Sequence, residues 1–208
     1  MFDLYLITDE GSPGSIASAV REALTRAAPG RVGVQLRDKA ARPEELLPLA
    51  RELRAITREA GAALFINEHA RLARAVAADG VHLPDRALSI SATRAQLAAD
   101  ARVGVSCHDA AGLACAVEQG ADFAVLGPVF EAPGKAPPLG VARFGELVRA
   151  TPMPVFALGG VGVAHISALC AAGAHGVALI RAVFAARDRA ASTAACLTAL
   201  DAARDRRG

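Results

Sequence analysis

Tryptophan is absent, tyrosine occurs once and phenylalanine seven times, so aromatics make up only 4% of the 208 residues. With so few rings, Ala, Val and Leu are expected to fill the core, and a hydrophobic share of 53% is enough for a sizeable one. An excess of one charge is also missing: 23 Lys and Arg face 21 Asp and Glu, leaving a net +2. That balance, with no basic block carrying interleaved aromatics, argues against a nucleic-acid partner. The arginines are scattered at helical spacing and read as solvated helix faces. No C-x-x-C joins the cysteines Cys107, Cys115, Cys170 and Cys196, and no histidine falls at zinc-finger spacing. They read as small buried thiols of a reducing cytosol. No apolar run is long enough to span a membrane. The first strand opens within three residues of Met1, which leaves no room for a signal peptide. The expected location is therefore cytoplasmic.

What is present is alternation. Short β-type runs at residues 4–8, 32–37, 63–67, 80–83, 102–106, 123–127, 155–159 and 177–180 are separated by Ala/Leu/Arg-rich helical segments. Most of the runs are continuously apolar, as parallel strands covered on both faces are. The segment 43–60 opens with Pro43, which suits a first helical turn. Its Leu46, Leu49, Leu53 and Ile56 form one apolar stripe. A weak repeat supports this order. Ala78-Asp79-Gly80-Val81, Gly120-Ala121-Asp122-Phe123 and Gly173-Ala174-His175-Gly176-Val177 each close a helix and open a strand. Eight such units at about 26 residues each predict a single-domain (β/α)8 barrel at the compact end of the range. A doubly wound open sheet is the rival, and the lack of a G-x-G-x-x-G after the first strand counts against it.

In such a barrel, chemistry sits where the strands end. The strand ends read Thr8-Asp9-Glu10, Arg37-Asp38-Lys39, Asn67-Glu68-His69, His82-Leu83-Pro84-Asp85, Ser106-Cys107-His108, Gly127-Pro128, Gly159-Gly160 and Arg181. Nearly every strand delivers a polar group or a glycine to one end. Arg37 and Lys39, at the end of a buried strand, form a pair of clamps for an anionic, phosphorylated ligand.

These pieces resemble the thiamine phosphate synthase/TenI family. The resemblance is carried in chain order by Leu4-Tyr5-Leu6-Ile7-Thr8-Asp9, Val34-Gln35-Leu36-Arg37-Asp38-Lys39, Phe65-Ile66-Asn67, Ala78-Asp79-Gly80-Val81-His82-Leu83, Gly104-Val105-Ser106-Cys107-His108, the run from Gly120 to Phe130, and Ala157-Leu158-Gly159-Gly160-Val161. The family's synthase joins hydroxymethylpyrimidine pyrophosphate to a thiazole phosphate, releasing pyrophosphate. The resemblance implies phosphorylated pyrimidine and thiazole substrates. It gives Arg37 and Lys39 to the pyrophosphate, with Asn67 beside them and Lys135 covering it from a loop. Ser106 would stand near the reacting pyrimidine, and Gly159 and Gly160 would offer N–H groups to the thiazole's phosphate. Gln35 and Arg181 are expected among the substrate-binding residues. Mg²⁺ is the implied cofactor, with Glu68 and Asp85 as its carboxylates. A homodimer is among the options.

Four positions depart from the synthase pattern. Glu68 stands where an Asp is expected, one methylene longer at a metal strict about geometry. The second carboxylate position falls on Ala87 in the loop Pro84-Asp85-Arg86-Ala87, and Asp85 substitutes only if that loop is two residues shorter. The threonines before the loop lysine are replaced in Glu131-Ala132-Pro133-Gly134-Lys135, and Arg181 stands where a Ser is expected. The Leu83-Pro84 strand end is closer to the TenI branch, a thiazole tautomerase that needs a proton-transferring group, often His. That branch's histidine falls at Pro128, which leaves His108, with His69 and His82, to serve. A non-catalytic phosphate-ligand-binding or regulatory paralogue is the third reading. Plainer roles stay open: Asn67 as a helix cap, Glu68 as an acid near a helix start, His82 as a hydrogen-bonded core histidine, His165 and His175 as structural, and Gly159-Gly160 as a tight turn. The loop 131–140, with three prolines and two glycines, is irregular and reads as a lid over the catalytic end.

Overall fold

The computed structural model describes residues 1–8, 14–85 and 89–206. Asp9, Glu10, Arg86 and Ala87, singled out above, lie outside the described residues. Eight parallel strands close into a barrel in chain order. They are β1 (Leu4–Ile7), β2 (Val32–Leu36), β3 (Ala63–Asn67), β4 (Gly80–Leu83), β5 (Arg102–Cys107), β6 (Phe123–Leu126), β7 (Val155–Ala157) and β8 (Gly176–Leu179). Each coincides with a strand expected from the apolar runs, to within two residues at either end. Between and after them lie helices α1 (Ile16–Leu24), α2 (Pro43–Glu59), α3 (Ala70–Ala75), α4 (Ile90–Arg94), α5 (Ala110–Glu118), α6 (Gly140–Arg149), α7 (Ile166–Ala171), α8 (Arg181–Phe184) and α9 (Arg189–Asp205).

Local chemistry explains the elements. Helix α2 starts at Pro43, and the Glu45 carboxylate accepts the Arg42 backbone N–H at 2.8 Å. It buries Leu46, Ala50, Leu53 and Ile56, while Leu49 lies half-buried at the edge of the stripe. The repeated Ala-Asp, at Ala78-Asp79 and Ala121-Asp122, has a definite job. Asp79 accepts the Leu64 N–H at 2.7 Å, and Asp122 accepts the Val103 N–H at 2.6 Å. Each aspartate so satisfies a donor at the start of the neighbouring strand, and each holds an arginine, Arg54 or Arg94. In the third copy His175 replaces the acid, and its Nε2 faces the Phe2 carbonyl at 3.0 Å. Asp122→Ala strands the Val103 N–H in a position that is fully buried. The expected loss is about 1–3 kcal/mol in urea unfolding.

Two apolar layers result. Leu, Val, Ile and Ala fill the space between strands and helices. The barrel's interior is different, and here the expectation of an Ala/Val/Leu core needs correction. Phe2, Tyr5, Phe65, Phe123 and Phe156 pack inside it with Ile7, Val125 and Ala178. Their rings meet edge to face, at 5.6 Å for Tyr5–Phe65 and 5.4 Å for Phe65–Phe123. Glycines make the room. A Cβ on Gly104 would stand 2.3 Å from the Phe123 ring, and one on Gly80 2.7 Å from Phe65. A scarce residue type is thus concentrated where few, large side chains must fill a narrow tube.

Candidate active site

Strand parity selects what faces the mouth. The interior residues Tyr5 and Ile7, Phe65, Phe123 and Val125, Phe156 and Ala178 occupy alternate positions of their strands. Register carries the same parity to Gln35, opposite Ile7 and Phe65, to His82, opposite Asn67, and to Ser106, opposite Val125. Arg37 and His108 follow Gln35 and Ser106 by two residues, just past the ends of β2 and β5. The upper tier is therefore two-sided. Strands β3 and β5 bring Asn67 and Ser106, with buried Gln35 and His82 of β2 and β4 beneath them, whereas β6 to β8 lead up to Val125, Leu158 and Ile180.

The cationic segment after β2 is held by its backbone. Thr8, 1% exposed, accepts the Arg37 N–H at 2.9 Å, and its hydroxyl also reaches the Arg37 carbonyl at 3.3 Å. Asp38 Oδ1 accepts the N–H groups of Ala40 and Ala41, both at 2.9 Å, closing the turn beyond Lys39. Arg37 is half-buried and Lys39 is exposed. Among the described residues no carboxylate forms an ion pair with Arg37, so its charge is available to a ligand.

On the far side, Gly159 (φ 96°) and Gly160 (φ 64°) both lie in left-handed backbone. A Cβ on Gly159 would stand 2.5 Å from Pro128, and one on Gly160 2.5 Å from the Glu131 carbonyl. The turn needs glycine for packing, as its plainer reading holds. It also leaves donors: among the described residues, neither Gly159 nor Gly160 gives its N–H to a protein acceptor. Successive N–H groups of this kind make an anion-binding concavity. Arg181 is exposed at the start of α8.

Other expected residues are placed as follows. Gln35 is 1% exposed and donates its amide to Tyr5 Oη at 3.2 Å, so it lies in the floor one tier below the mouth. Asn67 does not cap α3, which begins after His69. Its Nδ2 donates to Glu68 Oε2 at 2.9 Å. Glu68 is exposed, at φ 61°, with its N–H on the His82 carbonyl at 2.9 Å. A left-handed residue other than glycine is uncommon and marks a constrained position. His108 is exposed and turns Nδ1 toward the Gly127 carbonyl at 2.5 Å. Lys135 stands exposed on the irregular segment 131–139, and its N–H closes a turn on Ala132 at 3.2 Å. That segment is pinned at its base by Leu139 N–H to Pro128 O at 2.9 Å and Gly140 N–H to Val129 O at 3.0 Å. Gly140, expected within the loop, is the first residue of α6. His165 and His175 are structural, as expected: His165 accepts the Gly162 N–H and stacks on Phe130.

Asp85 Oδ1 lies 3.1 Å from where a Gly112 Cβ would stand, against the first turn of α5 and beside its capping Asp109. Burial first, then Asp85 and Asp109, push the Cys107 thiol up to about 12, so that cysteine is inert. Among the described residues no three His, Cys, Asp or Glu side chains cluster as a metal cage. Mg²⁺ does not require one, since it is usually held by one or two carboxylates with substrate phosphates. Exposed Glu68, beside Asn67, fits that arrangement better than Asp85 does.

Of the floor residues, Tyr5 is not among the site candidates read from the sequence, whereas His82 is read there both as a proton-transfer option and as a hydrogen-bonded core histidine. His82 is buried, with Nε2 3.0 Å from Ser106 Oγ. Burial first, then the Arg37 charge, lower its pKa to about 3, so the ring is neutral. The unfolded chain takes up this proton near 6.5, before the folded one does. Stability is therefore lost as pH falls from the unfolded value toward the folded one, by up to about 1.4 kcal/mol per pH unit. Urea unfolding of His82→Gln should show a shallower acid slope than the natural protein.

Comparison with known proteins identifies the family and the fold. The family model for thiamine monophosphate synthase (TMP-TENI) matches residues 4–183. A protein of Geobacter sulfurreducens, provisionally named a thiamine-phosphate synthase, is 43% identical over 90% of this chain and 89% of its own length. The thiamine-phosphate synthase of Laribacter hongkongensis is 36% identical over 92% of both. The solved thiamine phosphate pyrophosphorylase of Pyrococcus furiosus superposes with a TM-score of 0.87 at 29% identity, covering 97% of this chain and 96% of that one. With the family model spanning all eight strands and the mouth they build, this chain belongs to the thiamine monophosphate synthase family.

Proposed function

We propose that this protein joins hydroxymethylpyrimidine pyrophosphate to thiazole phosphate, giving thiamine phosphate and pyrophosphate. What supports the reading is a pair of anion-binding candidates on one rim: Arg37, fixed by Thr8 and without a carboxylate partner among the described residues, and the Gly159 and Gly160 N–H groups, which have no acceptor among those residues. Two phosphorylated substrates need two such sites. The bond from the pyrimidine methylene to pyrophosphate oxygen breaks, that oxygen keeps the electron pair, and the thiazole nitrogen forms the new bond to carbon. Arg37 and Lys39 stabilise the charge that grows on the departing oxygens. Ser106 orients the pyrimidine, and Lys135 closes over the pyrophosphate from its loop. Mg²⁺, held by Glu68 and phosphate oxygens, would add further charge neutralisation when bound.

A tautomerase needs a group that trades protons near neutral pH. Of the histidines named for it, His82 is sealed and held neutral. Exposed His108, its Nδ1 turned to the Gly127 carbonyl, keeps this second reading open to test. The synthase reading is tested by incubating the protein with both substrates and Mg²⁺. Thiamine phosphate and pyrophosphate should appear together and in equal amounts. No product at high enzyme concentration sinks it. Isomerisation of the thiazole carboxylate phosphate above the enzyme-free rate would then favour the tautomerase, and ligand binding without turnover the silent paralogue.

A further inference from the structure

The aromatic filling of the barrel ends at the tier of His82. Its ring lies among Tyr5 and Phe123, with centroids 5.7 and 6.0 Å away. His82 is 3% exposed, whereas Ser106, 3.0 Å from its Nε2, is half-buried. A ligand in the mouth meets the serine and is screened from the histidine. The other ring nitrogen, Nδ1, is buried and has no hydrogen-bond partner among the described residues.

That orphan decides the tautomer. A neutral imidazole has one N–H donor and one acceptor nitrogen. A proton on Nδ1 would strand a donor among aromatic rings. A proton on Nε2 strands only a lone pair, and buried donors without partners are rarer than under-satisfied acceptors. We propose that His82 is a positioning residue: it donates Nε2–H to Ser106 Oγ and so turns the serine's own O–H into the mouth as a donor. With the opposite tautomer, Ser106 would give its proton to His82 and offer the ligand only an acceptor. The sealed histidine thus sets which polar group of a ligand the serine selects, and a heteroaromatic ring nitrogen is the match. The tautomer is independent of the function proposed above; the identity of the heterocycle rests on it.

The first test needs no substrate. Long-range ¹H–¹⁵N spectra of ¹⁵N-labelled protein should show His82 protonated on Nε2, and the Nε2 resonance should shift in Ser106→Ala. A ring protonated on Nδ1 overturns the proposal whether or not the protein makes thiamine phosphate. The second test uses two pyrimidine pyrophosphate analogues, each with one ring nitrogen replaced by C–H. One of them should raise KM, or Kd by calorimetry if turnover is absent, about 10-fold in the natural protein. That discrimination should vanish in Ser106→Ala and in His82→Leu. It should return in His82→Gln, whose amide N–H reaches the Nε2 position. Equal discrimination in His82→Leu and the natural protein, or none at either ring position, also overturns the proposal. If His82→Leu does not fold, the spectrum of the natural protein and Ser106→Ala decide.

Discussion

Arg37→Ala is expected to lower kcat/KM for thiamine phosphate formation by about 10²–10³-fold while leaving thermal stability unchanged. The two halves of that expectation have separate causes. The fold depends on the Arg37 backbone, whose N–H is bound by Thr8 Oγ1 at 2.9 Å and survives the substitution. The guanidinium is half-buried and, among the described residues, pairs with no carboxylate, so its removal leaves no opposite charge stranded. What is lost is a fixed positive charge where pyrophosphate oxygens gain negative charge as the carbon–oxygen bond breaks. That charge is larger in the transition state than in bound substrate, so kcat should fall more than KM rises. Arg37→Lys should recover only part of the rate, because an ammonium cannot reproduce the guanidinium's paired donors. A rate within about 3-fold of the natural protein, far from the usual cost of losing such a group, would remove Arg37 from the anion site.

Gly176→Ala is expected to damage the fold itself. The residue lies in β8, which closes the barrel against β1. A Cβ there would stand 2.0 Å from the Asp3 carbonyl oxygen and 2.9 Å from the Phe156 ring. Phe156 is fully buried among other rings, and the carbonyl is backbone, so neither neighbour can yield cheaply. The strands must part at the seam. Overpacking of this kind costs about 1–3 kcal/mol and sometimes more. For a domain of this size that is a fall in Tm of roughly 2–12 °C. An Ala variant melting within about 2 °C of the natural protein would show that the seam tolerates the methyl group. The contrast with Arg37→Ala is useful, since one change removes chemistry and the other removes closure.

The strands were legible because parallel strands buried on both faces must be apolar along their whole length, and runs such as Leu4–Ile7 and Phe123–Leu126 have no other use. The order of the site was legible for a related reason. A barrel delivers each strand end to one rim, so Arg37, Asn67, Ser106 and Gly159 could be read as neighbours although far apart in the chain. The role of the aromatics was not legible. Composition alone points to an aliphatic core, and nothing local says that Phe65 and Phe123 face the tube while Leu64 and Ala124 face the helices. Asp85 was equally opaque. Its place in the chain, two residues after Leu83, suits a metal ligand as well as a neighbour of α5, and only the path of the chain brings it to Gly112.

His82 divides the two kinds of information most clearly. Its phase in Val81-His82-Leu83 was enough to mark a core histidine, but the phase is silent about partners. Ser106 is 24 residues away, and closure of the barrel brings its hydroxyl to Nε2 and leaves Nδ1 without a partner among the described residues. By itself, then, the sequence determined the alternating elements, the rim on which the chemistry sits and the family. Each of these depends on local periodicity or on short motifs that keep their meaning wherever the chain goes. The tertiary structure alone decided that Thr8 fixes the Arg37 backbone, that Glu68 meets Asn67, and that His82 Nε2 meets Ser106 Oγ. The first and last of these depend on the distance between groups remote in the chain, which is set by the shear and closure of the barrel.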